Sequence, residues 1–296
     1  MQTVKIQWLK GRLIGKGSFG RVYHAINAAT GDFMAVKQIE LPKTANAVIN
    51  ARQRAMIKAL YDETEFLKDF HYEHIVQYLG FNVADNTMNI FLEYVAGGSI
   101  ASLIKQHGPL AEPVMHSFSQ QTLRGLAYIH SHNVLHRDIK GANILVDEAG
   151  VCKISDFGIS KRNDYELAYD CNSRMSLQGS IFWMAPEVVQ ASGYSAKIDV
   201  WSFGCLVLEM WTGQRPWQNF NDIQTMYKLG SNCAPPLPDD IHPDCAGLLK
   251  LCFNPDPEDR PTATQLLEHI FCRVDDNYTY ADYYGTSSGS SIYNYD

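Results

Sequence analysis

The segment from His136 to Asn143, followed by an Asp-Phe-Gly triplet that begins at Asp156, narrows what this chain can fold into more than any other feature. Phosphoryl transfer needs little covalent help from a protein and depends on metal ions, a proton acceptor and positioned cations. Asn143 and Asp156 offer the hard oxygen ligands that magnesium prefers. Asp138 can accept a hydrogen bond from a substrate hydroxyl, and Lys140 would place an ammonium near the phosphoryl group that is transferred. The two motifs therefore predict phosphoryl-transfer chemistry.

The order of these residues resembles the catalytic loop of eukaryotic protein kinases. A lone Asp-Phe-Gly indicates little, because Asp-x-Gly is also an ordinary turn. Preceded by His-Arg-Asp-Ile-Lys-Gly-Ala-Asn, the triplet becomes a specific signature. The resemblance implies an α+β, bilobal protein-kinase fold, with a small antiparallel β-sheet lobe carrying one C-helix and a larger, mainly helical lobe. It also implies ATP and Mg²⁺ as cofactors.

A glycine-rich run from Gly15 to Gly20 precedes these motifs. The same G-x-G-x-x-G spacing occurs in dinucleotide-binding folds, and Glu40 lies about 20 residues further on, as such a fold would require. That motif needs a helix directly after the glycines, whereas Arg21 to Ile26 alternates with the period of a strand and leads into a Thr-Gly-Asp turn. The glycines are therefore predicted to close a β-hairpin whose backbone approaches phosphates.

Lys37 is the single lysine in the apolar strand that follows this hairpin. Most lysines are simply solvated, but after a glycine hairpin the kinase resemblance makes Lys37 the partner of the α and β phosphates. A C-helix over about residues 50–69 would supply the carboxylate that holds it. Glu63 and Glu65 differ by about 200° of helical rotation, so only one of them can face Lys37. The spacing typical of kinases favours Glu63.

The stretch from Ile90 to Ser99 runs from an apolar strand into a glycine pair and resembles the kinase hinge. The resemblance implies that the backbone of Glu93 and Val95 contacts adenine, that Leu92 is the gatekeeper and that Ser99 lies at the ribose. The implied nucleotide-binding set is Ile14, Gly15, Lys16, Gly17, Ser18, Phe19, Gly20, Val22, Ala35, Lys37, Leu92, Glu93, Val95, Ser99, Asn143, Leu145 and Asp156; its metal ligands are Asn143 and Asp156, and the catalytic set is Asp138, Lys140, Lys37 and Glu63.

Ala-Pro-Glu at residues 185–187 resembles the end of a kinase activation segment. The resemblance implies a buried ion pair between Glu187 and Arg260, and a bracing role for Asp199 at the catalytic-loop backbone. Both the ion pair and Asp199 are expected to support the structure rather than to take part in the reaction.

Phosphorylation of the activation segment is the expected switch. Arg137 supplies a cation with which a phosphate there could pair. Ser176 is the first candidate and Ser173 the second, whereas Ser180 is expected to hydrogen-bond Asp138 and Lys140 in the active state. An upstream activating kinase or autophosphorylation would add the phosphate.

Composition excludes several other classes. A net charge of −7 and the lack of a basic stripe argue against a nucleic-acid partner. The apolar run from Val200 to Trp211 is too short to span a membrane and is expected to be a buried helix. We expect no membrane insertion and a cytoplasmic location. Seven cysteines without a C-x-x-C pair favour reduced thiols.

The predicted organisation leaves room for one folded domain. Hydrophobic residues form 46% of the 296 residues, enough for a large core. From Asp275 onward the chain is rich in Tyr, Ser, Gly and Asp without apolar periodicity, which favours disorder. The predicted parts are an N-terminal extension at 1–7, a kinase domain at 8–274 (N-lobe 8–92, hinge 93–98, C-lobe 99–274) and a disordered tail at 275–296.

Finer features resemble one kinase family. A lysine two residues after the catalytic aspartate, as Lys140 is after Asp138, resembles the pattern of serine/threonine kinases. The stretches at 8–11, 76–81 and 182–188 resemble mitogen-activated protein (MAP) kinase kinase kinases of the MEKK and Ste-eleven type, and the polar insert at 41–54 is similar to the fungal cell-wall-integrity branch. The resemblance implies that a MAP kinase kinase is the substrate protein.

Three alternatives stay open beside that reading: a kinase of a related upstream family, a silent kinase-fold scaffold, and a nucleotide-binding regulator with little catalysis. A silent relative predicts the loss of Lys37, Asp138, Asn143 or Asp156. All four are present.

Overall fold

The computed structural model describes residues 6–17, 20–41, 68–84, 86–157, 161–162, 181–193 and 195–284. Most of the predicted C-helix falls outside these ranges. The predicted functional residues that also lie outside are Ser18, Phe19, Glu63 with its rival Glu65, Ser173, Ser176 and Ser180.

The N-terminal part is a five-stranded antiparallel sheet with the strand order β1-β2-β3-β5-β4. Apolar clusters form in this lobe around Val36 with Phe91, and around Ile39 with Ile90. The first hairpin confirms the strand prediction for the residues after the glycines. The strands are β1 Trp8–Gly17, β2 Gly20–Asn27, β3 Phe33–Glu40, β4 Tyr78–Ala84 and β5 Thr87–Glu93.

Helices dominate after the hinge, so the α+β, two-lobed prediction is confirmed. Their bounds are α1 Ile100–His107, α2 Glu112–Ser131, α3 Pro186–Val189, α4 Lys197–Thr212, α5 Asp222–Gly230, α6 Pro243–Cys252, α7 Ala263–Leu266 and α8 Ala281–Tyr284. Short strands complete this lobe: β6 Val134–Leu135, β7 Ile144–Val146, β8 Cys152–Ile154 and β9 Lys161–Arg162.

Helices α2 and α4 form the centre of the helical lobe. Pro113 lies in the first turn of α2, where its missing N–H costs nothing. The run from Val200 to Met210 in α4 is buried on all sides, as predicted for a core helix. Among the helices that the structure describes, none has the length and hydropathy that a membrane span requires.

Residues 275–284 differ from the expected disorder. Tyr280 packs on the Phe118 ring with 5.9 Å between centroids, and a Cβ at Gly150 would overlap the Tyr280 ring. The backbone N–H of Ala111 donates to Tyr284 Oη at 3.4 Å. A composition rich in Tyr and Ser conceals this docking, because a few aromatic rings bury large areas without any periodic pattern. Residues 285–296 lie outside the described ranges, and the domain limit at 274 stays a prediction.

Candidate active site

Asp199 of α4 holds the backbone of the catalytic loop. Its carboxylate accepts hydrogen bonds from the N–H groups of His136 at 2.9 Å and Arg137 at 2.7 Å. The Arg137 backbone has φ +71°, a left-handed conformation that non-glycine residues rarely adopt. Asp199 is fully buried, so these donors are what satisfy its charge. The predicted brace is confirmed.

His130 is a third partner of Asp199, which sequence reasoning missed. Its Nε2 lies 2.9 Å from Asp199 Oδ2. Burial by itself raises the pKa of Asp199, but the hydrogen bond and charge of His130, with those of the loop, outweigh it, and the pKa lies below its ordinary value. The carboxylate form is therefore the stable one beneath the catalytic loop.

Asp138, the predicted proton acceptor, contacts two residues of its own loop, Lys140 and Asn143. Lys140 Nζ donates to the two carboxylate oxygens at 2.9 and 2.7 Å. Asn143 Nδ2 donates to the Asp138 carbonyl at 2.7 Å and to Oδ2 at 2.9 Å. The carboxylate is thus oriented by two side chains from its own loop, and the side chain remains 14% exposed.

Lys37 and Asp156 join the two lobes across the cleft. Lys37 Nζ lies 2.9 Å from Asp156 Oδ1, although the residues are 119 positions apart. The Lys37 ammonium is the main cause that lowers the pKa of Asp156, against the opposing effect of burial. Sequence reasoning paired Lys37 with Glu63, which lies outside the described residues, so that pairing stays a prediction.

Ser155 links Asn143 to Asp156 and was also missed. Its N–H and hydroxyl both donate to the Asn143 carbonyl at 2.9 Å, and its own carbonyl lies 2.9 Å from His136 Nε2. Phe157 is buried with its ring 4.9 Å from that of His136. The position of Ser155 directly before Asp156 was the signal that could have found it.

The β1–β2 hairpin carries the glycine-loop residues. Gly15 is paired with Val22, Lys16 with Arg21, and Gly17 with Gly20, while Ile14 on the same strand is 39% exposed. The glycine run is thus at the closed end of a hairpin, where a backbone can approach phosphates.

Strand pairing places several of the remaining predicted nucleotide residues beside one another. Val22 lies opposite Lys37, and Ala35 lies opposite Leu92. From the helical lobe, Leu145 forms a β-bridge with Ser99. The roles predicted for these residues toward adenine stay predictions.

Two hinge side chains have structural partners that the sequence did not reveal. The Glu93 carboxylate lies 3.0 Å from Lys153 Nζ and accepts from the Gln77 N–H at 3.0 Å. The Ser99 hydroxyl accepts from the Ser102 N–H at 3.2 Å and caps α1. Val95 between them is buried.

Asn143 and Asp156 fit the magnesium ligands that the family implies. Among the residues that the structure describes, the hydrogen bonds of the Asn143 side chain use Nδ2, which leaves its amide oxygen for a cation. The Asp156 side chain is 38% exposed. In the part of the chain that the structure describes, no group of three His, Cys, Asp or Glu residues could hold a metal by itself. Mg²⁺ usually combines one or two carboxylates with substrate phosphates and water, so an amide and a carboxylate are sufficient protein ligands for it.

The predicted Glu187–Arg260 ion pair is confirmed. It is bidentate, with Nη1 to Oε1 at 2.6 Å and Nη2 to Oε2 at 2.9 Å. Both residues are buried, and the guanidinium also lies over the Trp201 ring at 4.9 Å. The pair anchors the end of the activation segment to the helical lobe.

Glu209 of α4 is the most informative residue that sequence reasoning missed. One of its oxygens accepts from the Gly141 N–H and from Trp183 Nε1, each at 3.0 Å. Its isolation as the single charged residue between Val200 and Trp211 was the signal that could have found it.

Comparison with known proteins agrees with this geometry. Residues 8–272 match the protein kinase domain model. The chain is 48% identical over 279 residues, 92% of its length, to the serine/threonine-protein kinase BCK1/SLK1/SSP31 of Saccharomyces cerevisiae, covering 18% of that protein. It is 45% identical over 288 residues, 95% of its length, to the MAP kinase kinase kinase mkh1 of Schizosaccharomyces pombe, covering 26% of it. The serine/threonine-protein kinase STE11 of S. cerevisiae is 43% identical over 88% of the chain, which covers 41% of that relative.

The chain thus spans well under half the length of these relatives. The resemblance to fungal MAP kinase kinase kinases is confirmed for this region. With its catalytic loop, its lobe-joining Lys37–Asp156 pair and a domain match over nearly its whole length, the chain belongs to the protein kinase family.

Proposed function

We propose that this chain is the catalytic domain of a serine/threonine protein kinase that acts as a MAP kinase kinase kinase. It transfers the γ-phosphoryl group of ATP to a serine or threonine of a MAP kinase kinase. The observation that carries the proposal is the cluster in which Lys140 and Asn143 both contact Asp138, together with the Lys37–Asp156 pair that joins the two lobes. Phosphoryl transfer needs a proton acceptor, positioned cations and metal ligands, and these five residues are our candidates for those roles.

The chain's own residues divide the reaction between them. Asp138 accepts the hydrogen of the substrate hydroxyl as that oxygen bonds to the γ-phosphorus and the bond to the β–γ bridging oxygen breaks, releasing ADP. Lys140 balances negative charge on the transferring group, and Lys37 contacts the α and β phosphates. Asn143 and Asp156 would hold Mg²⁺, which neutralises phosphate charge when bound.

The names of the relatives support the substrate class. The protein mkh1 is called a MAP kinase kinase kinase, and BCK1/SLK1/SSP31 a serine/threonine-protein kinase. By that similarity, the expected partners are a MAP kinase kinase substrate and an upstream activating kinase, unless autophosphorylation activates the chain, and the expected location is cytoplasmic. Arg137 would pair with a phosphate on Ser173 or Ser176.

The test compares wild type, Asp138→Asn and Glu148→Gln in transfer of labelled phosphate from Mg²⁺-ATP to a MAP kinase kinase that lacks its own activity. Glu148 is an exposed carboxylate in the turn after β7, so its isosteric amide is a matched control. We expect Asp138→Asn to lose about 10²–10⁴-fold in rate while still binding Mg²⁺-ATP, and Glu148→Gln to match wild type. Equal incorporation by Asp138→Asn would refute the role of Asp138. Transfer to a generic protein but not to the MAP kinase kinase would refute the substrate class alone.

A further inference from the structure

Glu209 is a buried acidic residue near the C-terminal end of the apolar helix α4. It is 7% exposed, and the residues from Val200 to Met210 around it in α4 are buried as well. Burial raises the pKa of Glu209 above its ordinary value, although the hydrogen bonds from Gly141 and Trp183 act in the opposite direction. A buried carboxylate is rarely the most stabilising choice, because a well-packed apolar residue avoids the desolvation cost. Its role is therefore to be sought in the two segments that it joins.

The first segment is the catalytic loop. Gly141 follows Lys140 directly and begins the 3₁₀ turn Gly141–Asn143, and its N–H donates to Glu209 Oε2 at 3.0 Å. A Cβ on Gly141 would lie 2.9 Å from Glu209 Oε1, so the carboxylate fits closely against this glycine. In the sequence, Gly141 thus lies between Lys140, which neutralises phosphoryl charge, and Asn143, the metal-ligand candidate.

The second segment is the 3₁₀ turn Ile181–Trp183, near the end of the activation segment. The Trp183 indole N–H donates to the same Glu209 oxygen at 3.0 Å, and Ser202 Oγ donates to the Trp183 carbonyl at 2.7 Å. Ser202 and Glu209 are seven residues apart on α4, hence within about 20° of the same helix face. Helix α4 therefore holds Trp183 at two points, one of which it shares with the catalytic loop.

Sharing one oxygen fixes the spacing of the two segments. The Gly141 nitrogen and the Trp183 indole nitrogen lie no further apart than about twice the 3.0 Å bond length. The turn Ile181–Trp183 therefore lies next to the catalytic loop that carries Asp138. A displacement of about 1 Å in such a constellation can cost about 10²-fold in rate.

We propose that Glu209 is a positioning residue for phosphoryl transfer: its carboxylate ties Gly141 to Trp183 and so keeps Asp138 and Lys140 aligned with a hydroxyl that enters beside the end of the activation segment. This inference rests on the proposed kinase function. It assigns Glu209 no contact with substrate or nucleotide.

Glu209→Met tests the inference because it keeps a long unbranched side chain and removes the oxygen that accepts both hydrogen bonds, whereas Trp183→Phe removes the indole donor while leaving the Gly141 contact. We expect kcat per ATP-binding site to fall about 10²-fold in Glu209→Met, with the Kd for Mg²⁺-ATP unchanged within about twofold. Trp183→Phe should lose less, and the double variant little more than Glu209→Met, because both changes break one link. Glu258→Gln, an exposed carboxylate near α7, is the matched control and should match wild type.

Nuclear magnetic resonance supplies a readout that does not depend on activity. In ¹⁵N-labelled protein, Trp183→Phe should shift the Gly141 amide resonance, and Glu209→Met should shift both that resonance and the Trp183 indole N–H resonance. A purely structural role for Glu209 would instead lower the fraction of ATP-binding molecules and leave kcat per binding site unchanged.

The outcomes separate this inference from the proposed function. If wild type transfers no phosphate, the proposed function fails, and an unmoved Gly141 resonance in Trp183→Phe would overturn the link itself. If wild type is active but Glu209→Met keeps its kcat per ATP-binding site within about twofold, the positioning role is overturned. If Glu209→Met does not fold, Trp183→Phe decides: an unchanged kcat per ATP-binding site would refute the proposal.

Discussion

Removing the carboxylate of Glu187 should destabilise the helical lobe strongly. Its partner Arg260 is 1% exposed, and Glu187→Ala would leave the guanidinium buried without its counter-charge. The remaining acceptors of Arg260 are neutral carbonyls, including that of Asn254 at 2.7 Å. Breaking one partner of a buried pair costs about 3–5 kcal/mol. Since the net stability of folded proteins is only about 5–15 kcal/mol, this single change should remove a large part of it.

Urea unfolding followed by tryptophan fluorescence measures the effect. Glu187→Ala, Arg260→Ala and the double variant form a cycle in which the double variant should cost less than the two single changes together by at least about 1 kcal/mol, because the pair is lost only once. Glu258→Ala, an exposed carboxylate two residues before Arg260, should change stability by less than about 0.5 kcal/mol. A loss below about 1 kcal/mol for Glu187→Ala would refute this prediction, because it would show that the buried Arg260 guanidinium costs little without its counter-charge.

Three further outcomes are expected. Lys37→Met should abolish transfer by removing the cation opposite Asp156 while retaining the fold, as shown by unchanged circular dichroism; full activity would contradict the cleft assignment. Asp199→Asn should lower stability at neutral pH, and because the folded pKa of Asp199 lies below its ordinary 3.8, this deficit should shrink as the pH falls through the folded pKa; a deficit that stays constant in unfolding measured from pH 6 to pH 3 would contradict it. Gly150→Ala should lower the thermal midpoint, because Gly150 has φ +82° and the new Cβ would overlap the Tyr280 ring. In a Tyr280→Ala background the added loss should be smaller, and equal losses in both backgrounds would refute that contact.

The local patterns of the sequence were sufficient for the hairpin and the long helix. Alternation after Gly20 predicted a strand and excluded a dinucleotide fold, because that fold needs a helix at the same place. The spacing of apolar residues behind Pro113 predicted α2 for the same kind of reason: a repeat of two or 3.6 residues is a property of the local backbone. Tyr280 escaped prediction because its contact with Gly150 has no period and depends on segments far apart in the chain.

The candidate site residues could also be predicted from the sequence, whereas their arrangement could not. Asp138, Asn143 and Asp156 predicted a phosphoryl-transfer site because few other chemistries need those groups in that order. The sequence by itself therefore determined which groups are available and the class of fold that carries them. Only the tertiary structure decided that Lys37 meets Asp156 across the cleft, and that a single oxygen of Glu209 joins two segments. Those contacts depend on how segments remote in sequence pack against one another, and such packing leaves no mark on the local order of residues.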